Sequence, residues 1–206
     1  MLKRTKGILL LMLLVLTGLA GRVFSETISS KERKFMIDHL KESKSYFLKN
    51  VKGLSEEQLN FKASPEKWSI KECMQHITLA EGNLWSWTDA TLKQTANPEK
   101  RSGIKVSDQQ VIDMMTNRTQ KAQAPETITP DKAAWKTSEE IVDAFKEKRG
   151  ALIKFAKTTT DDMRNHVTET PFGPIDTYQM VLFLSAHTRR HTQQIEEVKA
   201  DPAFPK

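Results

Sequence analysis

Two histidines one helical turn apart, His187 and His191, are the residues of this sequence best suited to bind a metal ion. Side chains four residues apart lie on one face of a helix, with their Cβ atoms about 5–6 Å apart. At that separation two imidazoles can bind one ion, because neutral ring nitrogens bind zinc at about 2.0–2.1 Å. A His-x-x-x-His pair alone is not specific, so the prediction depends on where the rings point and on a third ligand.

The surrounding apolar pattern directs both histidines toward the protein interior. A stripe with helical spacing passes through positions 187 and 191. The residues that define it are Met180, Val181, Leu184, Ile195 and Val198. A third histidine, His76, lies on the apolar face of another predicted helix, one residue before Ile77. Three imidazoles leave positions on an ion for water or substrate, as in catalytic sites; the alternative is three hydrogen-bonded core histidines.

Four long amphipathic helices are predicted, and each begins at a residue typical of an N-cap. Three begin with the capping-box spacing, Ser or Thr followed three residues later by Glu, and the fourth begins with Asp. The predicted N-caps are Ser29 or Ser30 for the first helix, and Ser69, Thr137 and Asp176 for the others. Gly53, the pair Asn97-Pro98 and Lys199 are predicted to lie at helix ends.

Between residues 97 and 137 the helical pattern weakens, which predicts a long crossover with one short helix capped by Ser107 or Asp108. No convincing alternation of apolar and polar residues indicates a β-strand. On the second long helix the residues predicted to face inward are Ile70, Cys73, Ile77, Ala80, Leu84 and Trp87. The predicted fold class is therefore all-α, a four-helix bundle with a long crossover between the second and third main helices.

The amino terminus has the features of a secretory signal peptide. Its positive residues are Lys3, Arg4 and Lys6. They precede an apolar run over residues 8–20, which is shorter than the roughly 20 residues needed to span a bilayer. Cleavage after Val23-Phe24-Ser25 divides the chain into a signal peptide, 1–25, and a mature domain, 26–206; an uncleaved anchor is the alternative. We expect a secreted or periplasmic protein with no stable membrane span after cleavage.

Removal of that segment leaves a nearly balanced charge. The whole chain has a formal net charge of +6, and residues 1–25 contain four basic residues and no acidic one, which leaves +2. This balance gives no electrostatic footprint for nucleic acid. The single cysteine, Cys73, excludes an internal disulfide. A mature chain of about 180 residues suits one domain with an ample core.

Several runs of residues resemble a known family. They are Trp68-Ser69-Ile70-Lys71-Glu72 before His76, His187-Thr188-Arg189-Arg190-His191 before Gln193-Gln194-Ile195-Glu196, and the segments 161–166 and 197–202. On these runs the chain resembles the DinB/YfiT-like superfamily of four-helix-bundle, metal-dependent proteins over roughly residues 29–204. The resemblance implies an up-down-down-up bundle in which one histidine of the second helix and two of the last helix bind a divalent metal, commonly nickel, zinc or iron. The matching positions are His76, His187 and His191.

Four residues are candidates for a substrate pocket beside the metal. Asn83 and Gln194 each lie seven residues after a histidine, two helical turns along the same face. Trp87 is a candidate for the pocket wall or the core. Arg190 could attract an anionic substrate or lie on a solvated face.

Other residues have simpler interpretations. Cys73 could be a fourth ligand, although the role of a small buried apolar residue is favoured. Glu72 is explained by its place in a capping box. We interpret His39 as a packing residue and His166 as structural or exposed.

The function that follows is an exported metal-dependent enzyme that acts on a small-molecule substrate by hydrolysis or by transfer of a thiol group. Resemblance to thiol-dependent transferases of the superfamily motivates the second reaction, but export argues against it because low-molecular-weight thiols are chiefly cytoplasmic. The alternative is a non-catalytic envelope protein that binds metal or ligand. The identity of the ion stays open, since three imidazoles suit several transition metals, and so does a homodimer.

Overall fold

The computed structural model describes residues 28–119 and 123–206, so the predicted signal peptide, 1–25, lies outside the described residues. The α-helices are α1 (Ser30–Val51), α2 (Glu56–Asn60), α3 (Ile70–Leu92), α4 (Asp108–Thr116), α5 (Ser138–Thr158) and α6 (Thr177–Lys199). The strands are β1 (Val167–Thr170) and β2 (Gly173–Asp176), and short 3₁₀ turns span Pro98–Gly103, Glu126–Ile128 and Pro130–Lys132. The four long helices α1, α3, α5 and α6 are those that the sequence predicts.

The predicted N-caps are confirmed. At Ser29, Ser69, Thr137 and Asp176, and at Ser107 before α4, the cap side chain accepts a hydrogen bond from the third residue of its helix. The side chain of that third residue accepts a bond from the cap backbone in return, so two free N–H groups are satisfied at each helix start.

The ends of the helices agree less closely with the prediction. Helix α6 ends at Lys199 as predicted, and Gly53 lies in the turn after α1 with a φ of +75°. Helix α3 ends at Leu92, well before Asn97-Pro98. The backbone N–H of Asn97 donates to the carbonyl of Asn165 at 2.7 Å, so this residue is held against the start of the hairpin instead of continuing the helix.

Contacts between the long helices establish an up-down-down-up order. Helix α6 runs parallel to α1, since Tyr178 near its start bonds to Glu32 and Glu196 near its end bonds to Asn50. It runs antiparallel to α3. Helix α5 packs against both α1 and α3, antiparallel to the first and parallel to the second. The long crossover between α3 and α5 therefore connects two parallel helices, as predicted.

The inward face of α3 differs from the prediction at its carboxyl end. The residues predicted to face inward, from Ile70 to Trp87, are spaced alternately three and four residues apart, so the predicted face repeats every seven residues. An α-helix turns every 3.6 residues and drifts by about 20° per heptad from such a repeat. Around the helix axis Trp87 therefore lies about 80° from Ile77 and Thr88 only about 20°, and Thr88 is buried whereas Trp87 is 37% exposed. The prediction that Trp87 faces inward is wrong.

The absence of strands is a second incorrect prediction. Strands β1 and β2 pair in antiparallel register, with Val167 opposite Asp176 and Thr170 opposite Gly173. Each strand has four residues, and β2 contains a glycine with a φ of +105° followed by Pro174, so no alternating pattern is long enough to detect. Asp176, the last residue of β2, is also the N-cap of α6, so the hairpin is followed directly by that helix.

The core lies between the four long helices and includes an edge-to-face pair of Phe47 and Phe145 with ring centroids 4.5 Å apart. Cys73, Ile77 and Ile195, which surround the predicted metal ligands in sequence, belong to the same apolar cluster. Among the described residues, none of the helices combines the length and the apolar character that crossing a bilayer requires.

Candidate metal centre

The three predicted histidines meet between two antiparallel helices. Helix α3 supplies His76, and α6 supplies His187 and His191 one turn apart. The Nε2 atom of His76 lies 3.2 Å from the Nε2 atoms of both other histidines. One nitrogen from each residue lies within 4.8 Å of the other two, which is close enough for a common ion.

Hydrogen bonds on the far side of two rings determine where their protons reside. The Nδ1 atom of His76 lies 2.8 Å from the carbonyl oxygen of Ile128, and the Nδ1 atom of His191 lies 2.8 Å from the Oε1 atom of Gln194. Both partners are acceptors, so each Nδ1 carries the proton and donates it. In a neutral imidazole the Nε2 atom is then a lone-pair donor, and these two Nε2 atoms point at each other.

That arrangement fits a metal ion and not a hydrogen bond. Two facing lone pairs at 3.2 Å repel each other, because neither nitrogen has a proton to share. Two nitrogens that bind one ion tetrahedrally at about 2.0–2.1 Å lie about 3.3–3.4 Å apart, close to the separation seen here. The far-side bonds to a carbonyl and an amide are also typical of metal-bound histidines.

Burial keeps all three imidazoles neutral. It lowers the pKa of His187 well below the usual value, with further lowering from His191 and His76. Burial likewise lowers the pKa of His191 to about 3, an effect that the hydrogen bond with Gln194 partly opposes. The pKa of His76 is lowered by burial and raised less strongly by the Ile128 carbonyl. At neutral pH an ion therefore has no proton to displace from these nitrogens.

An aromatic ring lies against one side of the centre, and the side of His191 is partly exposed. The indole of Trp68 lies 4.8 Å from the ring of His76 and 6.1 Å from that of His191, centroid to centroid. His76 and His187 are buried, whereas His191 is partly exposed. The side of His191 is thus the accessible side of the centre.

The predicted pocket residues divide into two groups. Gln194 contacts the centre by holding His191, and Arg190 donates to the carbonyls of Met115 and Asn117 at the end of α4. Asn83 and Trp87 instead line a separate groove of about 540 Å³ on α3, whose lining contains none of the three histidines. The structure therefore brings two of the four candidates to the centre and places two elsewhere.

Charged residues surround the accessible side. Arg118, in the crossover, forms a bidentate ion pair with Glu197 of α6 at 2.6 Å for both bonds. The positive charges of Arg118 and Arg190 both lower the pKa of His191, after the larger effect of burial. Two guanidinium groups and one carboxylate thus give the region around the centre a positive field.

The remaining candidates have structural roles. Cys73 is fully buried, and burial raises the pKa of its thiol far above the usual range, so it is a protonated apolar residue. Glu72 completes the capping box of α3. His39 bonds to Ser185 at 2.8 Å, and His166 bonds to the backbone of Asp162 and Gln94.

Sequence analysis missed three parts of this region. Ile128 contributes only its backbone carbonyl, which has no residue-type pattern. Trp68 was recognised as part of a motif but not as the neighbour of two histidines. The buried pair of Glu81 and Arg149, described below, had one local indication: Arg149 follows Phe145 by one turn on an apolar stripe.

Comparisons with known proteins agree with the fold. The sequence model of the DinB superfamily matches residues 39–195. An uncharacterised protein of Bacillus subtilis (strain 168), YuaE, is 27% identical over 151 residues, which are 72% of this chain and 88% of YuaE. The solved structure of YfiT from Bacillus subtilis, described as a probable metal-dependent hydrolase with an unusual four-helix bundle topology, matches with a TM-score of 0.57 at 15% identity. That match covers 84% of this chain and 89% of YfiT, and it shows a shared bundle fold.

Proposed function

The chain belongs to the DinB superfamily, as its sequence motifs predicted, and we propose that it is a divalent-metal-dependent hydrolase of a small-molecule substrate. The proposed ligands are His76, His187 and His191. The observation that carries the proposal is the convergence of three neutral imidazoles, two of which have their other nitrogen held by Ile128 and Gln194. Nickel, zinc and iron all suit this donor set.

An ion held by three imidazoles supplies Lewis-acid activation of water or of a substrate atom. The residues of the chain supply binding and orientation. Gln194 and the Ile128 carbonyl keep the two rings in the tautomer that presents Nε2. Trp68 packs against His76, with ring centroids 4.8 Å apart, and so helps to orient that ring. The opening beside His191 is the route for substrate, and the field of Arg118 and Arg190 favours an anionic one.

Hydrolysis is preferred to thiol transfer because export would separate the protein from low-molecular-weight thiols, which are chiefly cytoplasmic. The only cysteine, Cys73, is buried and protonated, so the chain supplies no reactive thiol of its own in their place. The description of YfiT as a probable metal-dependent hydrolase also supports hydrolysis, although the shared fold alone does not establish the reaction. A non-catalytic envelope protein that binds the ion without turnover is the alternative.

Export is part of the proposal. It is supported by the basic start, the short apolar run and the suitable cleavage site after Ser25. Mass spectrometry of the protein from its native host should find a chain that begins near Glu26, in the envelope or the medium. An intact Met1 on a cytoplasmic protein would contradict export and would favour the thiol-transfer reaction.

Activity is tested by a screen of the metal-loaded protein against esters, amides and thiol acceptors. The proposal predicts hydrolysis that is lost in His187→Ala and retained in His166→Ala, because the ring of His166 contacts the carbonyls of Asp162 and Gln94 and not the other histidines. Thiol-dependent turnover without hydrolysis would replace the proposed reaction with the second one. A loaded protein with no turnover of any class would support the non-catalytic alternative.

A further inference from the structure

A buried polar cluster joins all four long helices close to the metal centre. Its members are Glu81 of α3, Arg149 of α5, Thr188 of α6, and Ser43 with the Leu40 carbonyl of α1. The Arg149 side chain is fully buried, and that of Glu81 is 1% exposed. Bringing such charges out of water is costly, so this cluster calls for a role beyond packing.

Every N–H of the Arg149 guanidinium has a partner. Two of them form a bidentate pair with the Glu81 carboxylate at 2.5 and 2.7 Å. Two others donate to Ser43 and to the Leu40 carbonyl at 2.6 and 2.9 Å, and the last donates to the Thr188 hydroxyl at 2.9 Å. Five donors in a fixed planar geometry define directions and distances that apolar contacts do not.

We infer that the buried polar cluster is a positioning device for the metal centre, and that Thr188 is the residue through which it acts. This inference rests on the proposed function. The cluster joins α3 and α6, the two helices that supply the ligands. Glu81 follows His76 by five residues on α3, and Thr188 lies between His187 and His191 on α6.

The physical need for such a device comes from the apolar seam between the two helices. Apolar side chains can interdigitate in more than one axial register, and one helical turn is about 5.4 Å. A shift of even a fraction of a turn would separate His76 from the other two histidines, which now lie 3.2 Å from it. A buried polar group disfavours such shifts, because its hydrogen-bond partners would be left unpaired. Single buried polar residues fix the register of coiled coils in the same way.

The inference is tested with Thr188→Val, which removes one hydroxyl and preserves the shape of the side chain. It leaves the Glu81–Arg149 pair intact and deprives Arg149 of its bond to α6. Thr192→Val is the matched control. Thr192 is equally buried on the same helix and lies beside His191, but among the described residues its hydroxyl donates to the Thr188 carbonyl of its own helix alone, at 2.8 Å. Thr188→Ser restores the hydroxyl and serves as the rescue variant.

The probe is Co²⁺, whose visible absorption bands report coordination geometry and whose affinity is measured by competition titration. We expect Thr188→Val to weaken Co²⁺ binding about threefold to tenfold, which is less than the roughly 10- to 100-fold effect of groups that bond directly to metal-bound histidines, because Thr188 acts at one remove. Its bands should change in position or intensity, while Thr188→Ser and Thr192→Val keep those of the wild type. Circular dichroism and the melting temperature of the metal-free variants establish that each is folded.

Two results would overturn the inference. One is a Thr188→Val protein with wild-type bands and wild-type affinity; the other is a Thr192→Val protein that changes as much as Thr188→Val. Neither result would contradict the proposed metal site itself. A wild-type protein that binds no Co²⁺ would instead contradict the proposed function, and the inference with it.

Discussion

The bond between Gln194 and His191 offers a direct test of how the centre is held. The Oε1 atom of Gln194 accepts from the Nδ1 atom of His191 at 2.8 Å, and Gln194→Leu removes this acceptor with little change in size. His191 is the ligand most sensitive to such a loss because it is the most exposed of the three, whereas His76 is held by a backbone carbonyl.

The expected loss follows from two contributions. A hydrogen bond of this kind contributes about 0.5–1.5 kcal/mol net. Freedom of the imidazole to rotate adds about 0.5–1 kcal/mol that binding must then overcome. The sum, about 1–2.5 kcal/mol, corresponds to metal binding that is roughly 5- to 70-fold weaker. Gln194→Glu should bind at least as tightly as the wild type, because a carboxylate is a better acceptor and makes the ring a stronger ligand.

The assay is a calorimetric competition titration with Zn²⁺, and Gln193→Leu is the control. Gln193 is the preceding residue, and its Oε1 atom is buried without a hydrogen-bond partner among the described residues, so the same substitution removes no bond of that oxygen. We expect wild-type affinity for Gln193→Leu. The reasoning is refuted by wild-type affinity in Gln194→Leu, or by equal losses in both variants.

Three further predictions concern stability. Arg164 forms ion pairs with three carboxylates at helix starts, those of Glu32, Asp108 and Asp176. Arg164→Leu leaves them without this shared partner and should destabilise the protein by roughly 3 kcal/mol. This value is the lower limit for a buried pair, because Arg164 keeps some contact with water. Burial raises the pKa of Asp176 to about 6 and Arg164 lowers it, so in Arg164→Leu this pKa rises above 6. The loss measured by urea unfolding should therefore be largest well above pH 6 and should decrease toward pH 6, because Asp176 of the variant takes up a proton there. Burial, with the charges of Arg189 and Arg149, lowers the pKa of His39 to about 4. Because the unfolded chain takes up this proton near pH 6.5 and the folded protein only near pH 4, the free energy of unfolding should decrease as the pH falls between these values. His39→Asn should flatten this dependence by up to about 3 kcal/mol. Leu152→Ala, at a 2% exposed core position, should cost about 2–5 kcal/mol in the same assay, and a loss below 1 kcal/mol would contradict its place in the core.

The features that the sequence predicted well are local. Helix starts were predictable because a capping box needs only two residues three positions apart, as at Ser69 and Glu72. The inward direction of His187 and His191 followed from the apolar residues around them on one helix. The meeting of these two with His76 required the family resemblance, because no pattern within one helix specifies its neighbour.

The features that were missed depend on packing between distant segments. Glu81 and Arg149 are 68 residues apart, and although Arg149 lies on an apolar stripe, nothing within either helix pairs the two residues. The hairpin has strands too short to show alternation. Trp87 was predicted to face inward by extending a spacing that repeats every seven residues, whereas the 3.6-residue turn of α3 brings Thr88 to the core instead.

The central claim is that His76, His187 and His191 bind one divalent ion. Elemental analysis of protein purified without a histidine tag, followed by calorimetric titration of alanine variants, tests it most directly. We predict one ion per chain, an increase in melting temperature on loading because the ion binds only the folded state, and loss of binding in each of the three variants but not in His166→Ala. Stoichiometric binding that survives His187→Ala would contradict the claim.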